Sequence, residues 1–354
     1  MATLWACMVR AKVWPLIGMR LKEATLGNFY DELLGAWDKT NAAKLKARKY
    51  IHEDEIEWVS TPQDEKIGLL VAPETGFETW GTESAVAEIA PGWNTGKHVH
   101  GEEGLYITQG EGFSVISGKR YDWAKGTTLW IPFGAEHQHF NTGDGPARYY
   151  SVTCSHLEQF LGIFKLEQLE TCGPTDNIVD APVSADGFDD KGRRLRLWWD
   201  EAPQVRSSED DRGLKRDPEA PLLADEAFDT TMNTHHSLMI HFMRGNGFQN
   251  KELEISGILS DDPHTHGGRH AHMEAILYIL QGEGYSIVDG EKIPWRPGTC
   301  FHVQGPQTMH QHFNESDVPS HMLRTAPGIR MNFFQKIAEE RFPYLWFESH
   351  DHIH

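Results

Sequence analysis

One constellation of histidines is written twice in this chain. The first copy is His98-Val99-His100-Gly101-Glu102, followed by His137-Gln138-His139-Phe140-Asn141. The second is His270-Ala271-His272-Met273-Glu274, followed by His310-Gln311-His312-Phe313-Asn314. The copies lie 172 residues apart at their start and 173 at their third histidine. A repeat of this order and spacing asks for two related domains, each with its own core, and 354 residues suffice for both.

The segments around the histidines fix the kind of domain. Alternating stretches at Ser84–Ala90, Leu105–Gln109, Gly112–Ser117, Thr127–Pro132 and Ala147–Thr153 are punctuated by Gly, Pro, Asn and Asp. Many short strands with frequent turns read as an antiparallel sandwich or barrel. The repeat extends through these strands. Glu102–Gly112 corresponds to Glu274–Gly284, and Gly118, Trp123 and Gly126 correspond to Gly290, Trp295 and Gly298. The glycines stand where hairpin turns need positive φ. Residues 27–48 read as one or two helices with a basic end, and Phe334–Arg341 as another. The division expected is a helical arm at 1–65, a first barrel at 66–172, a polar linker or surface excursion at 173–230, a second barrel at 231–333, and a helix and tail at 334–354. Trp198 and Trp199 suggest that part of the linker docks onto a domain.

Strand geometry turns the histidines into a candidate metal site. Side chains alternate along a strand, so His98 and His100 share a face, as do His270 and His272. A third imidazole from a facing strand, His137 or His310, completes three corners and leaves positions open for substrate or dioxygen. Nitrogen donors with an optional carboxylate suit Fe(II), Mn(II), Ni(II), Cu(II) or Zn(II). No cysteine lies in the pattern, which argues against a thiolate zinc site. Eleven of the twenty histidines fall in the two motif regions. Of these, His264, His266 and His302 read singly as ordinary hydrogen-bonded sheet residues.

Bulk composition excludes some partners. A net charge of −19 argues against nucleic acid and anionic membranes. No apolar run reaches the length of a membrane span. Met1–Gly18 lacks the character of a signal peptide, and Met19 opens a more ordinary start. Four scattered cysteines fit a reduced, cytoplasmic setting.

These motifs resemble the cupin superfamily. Gly92 stands five residues before His98, and Gly110 closes the first motif. Gly126, Pro132, Gly134, His137 and Asn141 fit the second without a gap. The second copy keeps Gly298, Gly305, His310 and Asn314, with Val303 in place of the proline and two extra residues before His310. The resemblance covers roughly 70–170 and 235–330. It implies an all-β fold of two double-stranded β-helix (jelly-roll) barrels in one chain with flanking helices. It also implies the ligand sets His98, His100, His137 and His270, His272, His310. The glutamate follows its histidine more closely than in the family, and Glu102 and Glu274, which match in the repeat, are preferred over Glu103. His139 and His312 become groups behind the ligands or proton shuttles.

Three functions remain open at this point. Two-domain cupins of this length resemble gentisate, 1-hydroxy-2-naphthoate and salicylate dioxygenases. That resemblance implies a non-haem Fe(II) extradiol-type ring cleavage of a hydroxylated aromatic acid (gentisate-, salicylate- or hydroquinone-like) by dioxygen. Trp80, Trp93, Tyr106, Trp130, Phe133 and Phe140 would flank the ring or simply fill the core, and Arg148 would clamp a carboxylate, with Arg324 as its counterpart. A Mn(II) oxalate decarboxylase-like or isomerase bicupin is the second function, with Arg269 as the nearest cation. A non-catalytic storage or small-molecule-binding bicupin is the third. Exposed barrel edges suggest a homo-oligomer.

Overall fold

Hairpins build most of this chain, and the turns that close them recur with the repeat. Ser117-Gly118 and Asp289-Gly290 both have positive φ at both residues (49° and 79°, 49° and 82°), the geometry of a type I′ turn between twisted strands. The computed structural model describes residues 28–176, 179–206, 236–243, 245–268, 270–271, 274–304, 308–327 and 347–348.

Residues 28–46 form a unit of their own. It contains the helices Phe29–Leu34 and Ala36–Lys46, where a helical segment with a basic end was expected. Asp38 lies in the first turn of the second helix and Lys44 and Lys46 in its last, complementing the helix dipole.

The rest of the described chain is all-β with two barrels. In the first, one sheet runs Arg196–Leu197, Thr128–Ile131, Glu103–Gln109, Ala147–Thr153, Glu83–Ile89, Lys66–Leu69. Its other sheet centres on His137–Asn141, which pairs with His98–Val99, Trp93–Asn94 and Glu111–Ile116. The second barrel repeats this plan. Ala275–Gln281 lies between Thr299–Val303 and His321–Pro327, and His310–Asn314 pairs with Gly284–Val288 and His270–Ala271. All these pairings are antiparallel, and the strands expected at 84–90, 105–109, 112–117, 127–132 and 147–153 lie within a few residues of those ranges.

Several segments differ from the expected division. Among the described residues of the expected arm, Phe29–Leu34 and Ala36–Lys46 are α-helical and Glu53–Glu55 forms a 3-10 turn. Tyr50–His52 is an edge strand on Thr299–Phe301 of the second barrel. The stretch expected as a linker is partly built into both barrels: Arg196–Leu197 pairs with Thr128–Leu129, and Gln204–Arg206 pairs with Leu238–Ile240. These additions cover sheet edges that would otherwise offer unpaired backbone groups. They are two or three residues long, too short to leave a periodic signal. Trp199 docks beside Phe242 and His321, as the tryptophan pair suggested. The expected helix Phe334–Arg341, the polar tail and Arg269 lie outside the described residues.

The larger sheets of the two barrels pack on each other. Tyr150 stacks on Tyr278 with ring centroids 5.0 Å apart, and Tyr106 stacks on Phe242 at 5.5 Å. Gly104 sits at this contact, where an added Cβ would lie 2.9 Å from Leu253 Cδ1. A larger residue here would push the Leu253 and Ile255 side chains aside.

Candidate metal centre

The first barrel brings four donors together. His98 and His137 face each other across an antiparallel pairing, with rings 4.1 Å apart. His100 stands 4.7 Å from His137 and 5.0 Å from His98. Glu103 opens the next strand and presents Oε2 to His100 Nε2 at 3.4 Å and to His137 Nε2 at 3.5 Å. One ligand atom from each of the four lies within 4.8 Å of the others.

Each imidazole is held from behind. The Nδ1 atoms of His98, His100 and His137 hydrogen-bond the carbonyls of Gly96 (2.7 Å), Gly101 (3.0 Å) and Ala135 (2.8 Å). Carbonyls only accept, so each Nδ1 carries the proton and each Nε2 lone pair faces inward. The inner atoms His98 Nε2, His137 Nε2 and Glu103 Oε2 are buried and lack hydrogen-bond partners. Buried polar atoms left this way cost stability unless something binds them. A divalent cation fits three neutral nitrogens and one carboxylate oxygen.

Electrostatics prepare the same arrangement. Burial, then the neighbouring His137 and His100, push the His98 pKa down to about 2, and burial lowers that of His137, so both stay neutral. Burial opposes charge on His100, but Glu103 beside it outweighs this and raises its pKa. Burial alone would raise the Glu103 carboxyl as well; His100 and His137 hold it well below the usual range. Glu103 is therefore a carboxylate. Its Oε1 accepts a hydrogen bond from Ser151, which fixes its orientation.

Glu102, expected as the ligand, turns the other way. Its carboxylate accepts the backbone N–H groups of Lys251, Glu252 and Leu253 from the second barrel. Strand parity explains the difference. Glu103, Leu105 and Ile107 alternate onto the barrel interior, and Glu102 falls outside that series. Glu274 likewise faces out of its barrel, accepting His302 Nε2 at 2.6 Å and the Trp80 N–H at 3.0 Å.

In the second barrel the register places Ala275 where the first has Glu103: Glu103 pairs with Ile131, and Ala275 with Val303. Arg324 takes the place of Ser151, since Ser151 pairs with Leu105 and Arg324 with Leu277. This barrel lacks the carboxylate donor at that register. Its His310 Nδ1 bonds Thr308 O at 2.8 Å, as His137 bonds Ala135. His272 and the side chain of His270 lie outside what is described.

Two of the residues expected to act in catalysis, His139 and His312, stand behind the third histidine of each copy, with rings 5.6 Å from His137 and 5.4 Å from His310. His139 Nδ1 meets Ser114 Oγ at 2.6 Å, and Trp123 Nε1 donates to the same oxygen at 2.9 Å. His312, Ser286 and Trp295 repeat this arrangement at 2.7 and 3.1 Å. The arrangement recurs in both barrels behind the third histidine. Arg148 sits on the opposite face of its strand from Tyr149 and Ser151. It pairs with Glu53 at 2.6 Å and Glu88 at 3.0 Å, and it borders a cavity of about 530 Å³ that holds none of the four donors. It is the neighbour of Tyr150 at the contact between barrels, so the expected carboxylate clamp is not at this centre. Arg324, expected as its counterpart, corresponds instead to Ser151; the register partner of Arg148 is His321, since Arg148 pairs with Gln109 and His321 with Gln281. Of the flanking aromatics, Tyr106 and Trp130 are buried and Phe140 stacks on Phe113 at 4.7 Å, while Phe133 is exposed. The asparagines closing each motif pin loops: Asn141 donates to Ile89 O and Gly145 O, and Asn314 to Asp261 O and Val318 O. His264, His266 and His302 are hydrogen-bonded, as read from the sequence.

Access to the centre is through a cavity of about 230 Å³ that reaches His100 and Glu103. Ile67, Leu69, Phe164 and Leu166 form its apolar wall; Glu83, Ser151, Thr153 and Glu158 its polar one. No Lys or Arg is among the described residues lining it.

Comparison with known proteins agrees with this architecture. The cupin domain family matches residues 85–153 and 257–325. A curated relative, 5-aminosalicylate 1,2-dioxygenase of Comamonas sp., is 32% identical over 69 residues, which are 20% of this chain and 18% of that protein's length. Among solved structures, a point variant of salicylate 1,2-dioxygenase from Pseudoaminobacter salicylatoxidans in complex with gentisate superposes with a TM-score of 0.58. It is 14% identical over 93% of this chain and 95% of its own. A variant of Bacillus subtilis oxalate decarboxylase gives 0.55 at 14% identity, covering 79% and 77%. At these identities the structural likeness establishes the fold alone. No described helix is long and apolar enough to cross a membrane.

Proposed function

For a chain that carries two cupin domains, we propose a metal-dependent oxygenase that opens hydroxylated aromatic rings with dioxygen and works in the first barrel. The observation that carries this reading is the convergence of His98, His100, His137 and Glu103, with inner atoms lacking protein partners, at the end of a cavity. Fe(II) is the proposed metal, with Mn(II), Ni(II) and Zn(II) as the competing occupants. When bound, Fe(II) supplies the one-electron chemistry that lets a closed-shell ring react with dioxygen.

The chain's own residues prepare this site. Backbone carbonyls behind His98, His100 and His137 fix the tautomers, so no imidazole must turn before binding. Ser151 holds Glu103 in one orientation. The apolar wall of Ile67, Leu69, Phe164 and Leu166 takes the flat ring and excludes water. The dioxygenase activity named for the Comamonas relative supports the reaction class. Ala275 in the place of Glu103 supports the first barrel over the second as the working site.

Oxalate decarboxylation is the second reading, favoured by the carboxylate among the donors. A cavity with no described cation suits a doubly charged oxalate poorly. Association as a homo-oligomer and a cytoplasmic setting complete the proposal, the first to be checked by sedimentation. The test of function is a dioxygen-uptake assay on anaerobically Fe(II)-loaded protein with a panel of hydroxylated aromatics, using ¹⁸O₂ to trace both atoms into product. Label in a ring-opened product supports the reading. Oxalate turnover by the Mn(II) form with no uptake on any aromatic replaces it by the second.

A further inference from the structure

The charge of the cavity wall bears on which ring the first barrel accepts. Glu158 lies on the helix Ser155–Leu161, is 2% exposed, and faces the cavity. Its carboxyl is pressed against the backbone that follows His100: a Cβ added at Gly101 would fall 1.6 Å from Glu158 Oε1. Its Oε2 is buried with no hydrogen-bond partner. Glu252 adjoins it, and Glu102 and Glu83 stand nearby. Two of these have fixed structural partners: Glu102 is held by three backbone N–H groups, and Glu83 accepts from the start of the Ser155 helix. Of these four, Glu83 and Glu158 line the cavity, and Glu158 carries the oxygen without a partner.

We propose that this site selects a hydroxylated aromatic ring bearing no carboxylate, and that Glu158 in the cavity wall is the specificity residue that turns the corresponding acids away. The inference rests on the first barrel being the working site. A ring carboxylate entering past Gly101 would meet the Glu158–Glu252 pair in a poorly hydrated space, where like charges repel strongly. No described lining residue offers a cation in return. A neutral diol meets an apolar wall, the hydroxyl of Thr153, and a carboxyl able to share a proton with it. Burial and then Glu252 push the Glu158 carboxyl up to about 8, so it repels an acid most strongly above that pH and can donate to a phenol oxygen below it.

The test is calorimetric binding of hydroquinone and of 2,5-dihydroxybenzoate to the Zn(II)-loaded full chain, which permits binding without turnover. At about pH 9, where Glu158 is ionised, hydroquinone should bind about tenfold more tightly than the acid. Glu158→Gln, close in size and free of charge, should narrow that gap to less than about threefold. Leu166→Arg, a change at an exposed wall position, should tighten the acid without weakening the diol. Equal or tighter binding of the acid by the unaltered protein would overturn the proposal. So would a gap unchanged in both variants, or no binding of either ring. Diol selectivity without dioxygen uptake by the Fe(II) form sinks the oxygenase reading and leaves this one standing. Uptake with the acid preferred does the reverse.

Discussion

Glu102 and Glu274, equivalent positions of the repeat, each reach out of their own barrel into the other. Glu102 accepts the N–H groups of Lys251, Glu252 and Leu253, and Glu274 accepts that of Trp80, the residue equivalent to Glu252. The repeat thus preserves a mutual clasp between domains. Glu102→Ala leaves three amide protons without their acceptor at a buried junction, at a cost of about 2–4 kcal/mol. Thermal unfolding of this variant should occur several degrees lower with its metal content unchanged.

The Ser114–His139–Trp123 arrangement and its copy Ser286–His312–Trp295 make a second prediction. Ser114→Ala strands an imidazole nitrogen and an indole N–H in one core. Ser286→Ala does the same in the other. Each should lose about 1–3 kcal/mol in chemical denaturation. The sites share no residue, so the double variant should show the sum to within about 0.5 kcal/mol.

Arg148 joins Glu53, beside the edge strand of the second barrel, to Glu88 of the first. Arg148→Ala should lower stability by roughly 1–2 kcal/mol while leaving metal content and substrate affinity near those of the unaltered protein. A loss of substrate affinity of about a hundredfold, measured with stability held above the assay temperature, would restore Arg148 as a carboxylate clamp.

Asp64 is buried and accepts a hydrogen bond from Tyr149 at 2.6 Å. Burial raises its pKa to about 7, against an ordinary value of 3.8. The folded protein then holds a proton that the unfolded chain releases between these two values. This contribution to stability is complete below pH 3.8 and is lost as pH rises toward 7. Asp64→Asn keeps an acceptor for Tyr149 and removes the titration. Relative to the variant, the unaltered protein should lose stability from about pH 4 to pH 7 and hold a constant deficit above that. Parallel melting curves for the two proteins across this range would contradict the assignment.

The sequence disclosed much of this, and its failures have physical causes. The histidines were legible because a doubled His-x-His with a third histidine at fixed spacing is rare by chance and strand parity aims the pair one way. The same parity would have found Glu103, which alternates with Leu105 and Ile107. The stronger pull was the match of Glu102 with Glu274, and that match records the clasp between barrels. Arg148 and Arg324 are not equivalent positions: the register partner of Arg148 is His321 and that of Arg324 is Ser151, a correspondence the sequence hides because each arginine has no arginine opposite it in the other copy. Ser151, Glu158 and the cavity wall left no signal. They come from segments distant in sequence, and only the folded barrel brings them to His100.

The central claim is that the metal is held by Glu103 with the three histidines, and that Glu102 takes no part. Elemental analysis of Glu103→Ala and Glu102→Ala, each purified as folded protein and dialysed against the same limiting Fe(II), tests it most directly. The account predicts that the Glu103 variant retains less than about a tenth of the first-barrel metal and that the Glu102 variant retains it in full. Full occupancy in Glu103→Ala, or loss in a folded Glu102→Ala, contradicts it.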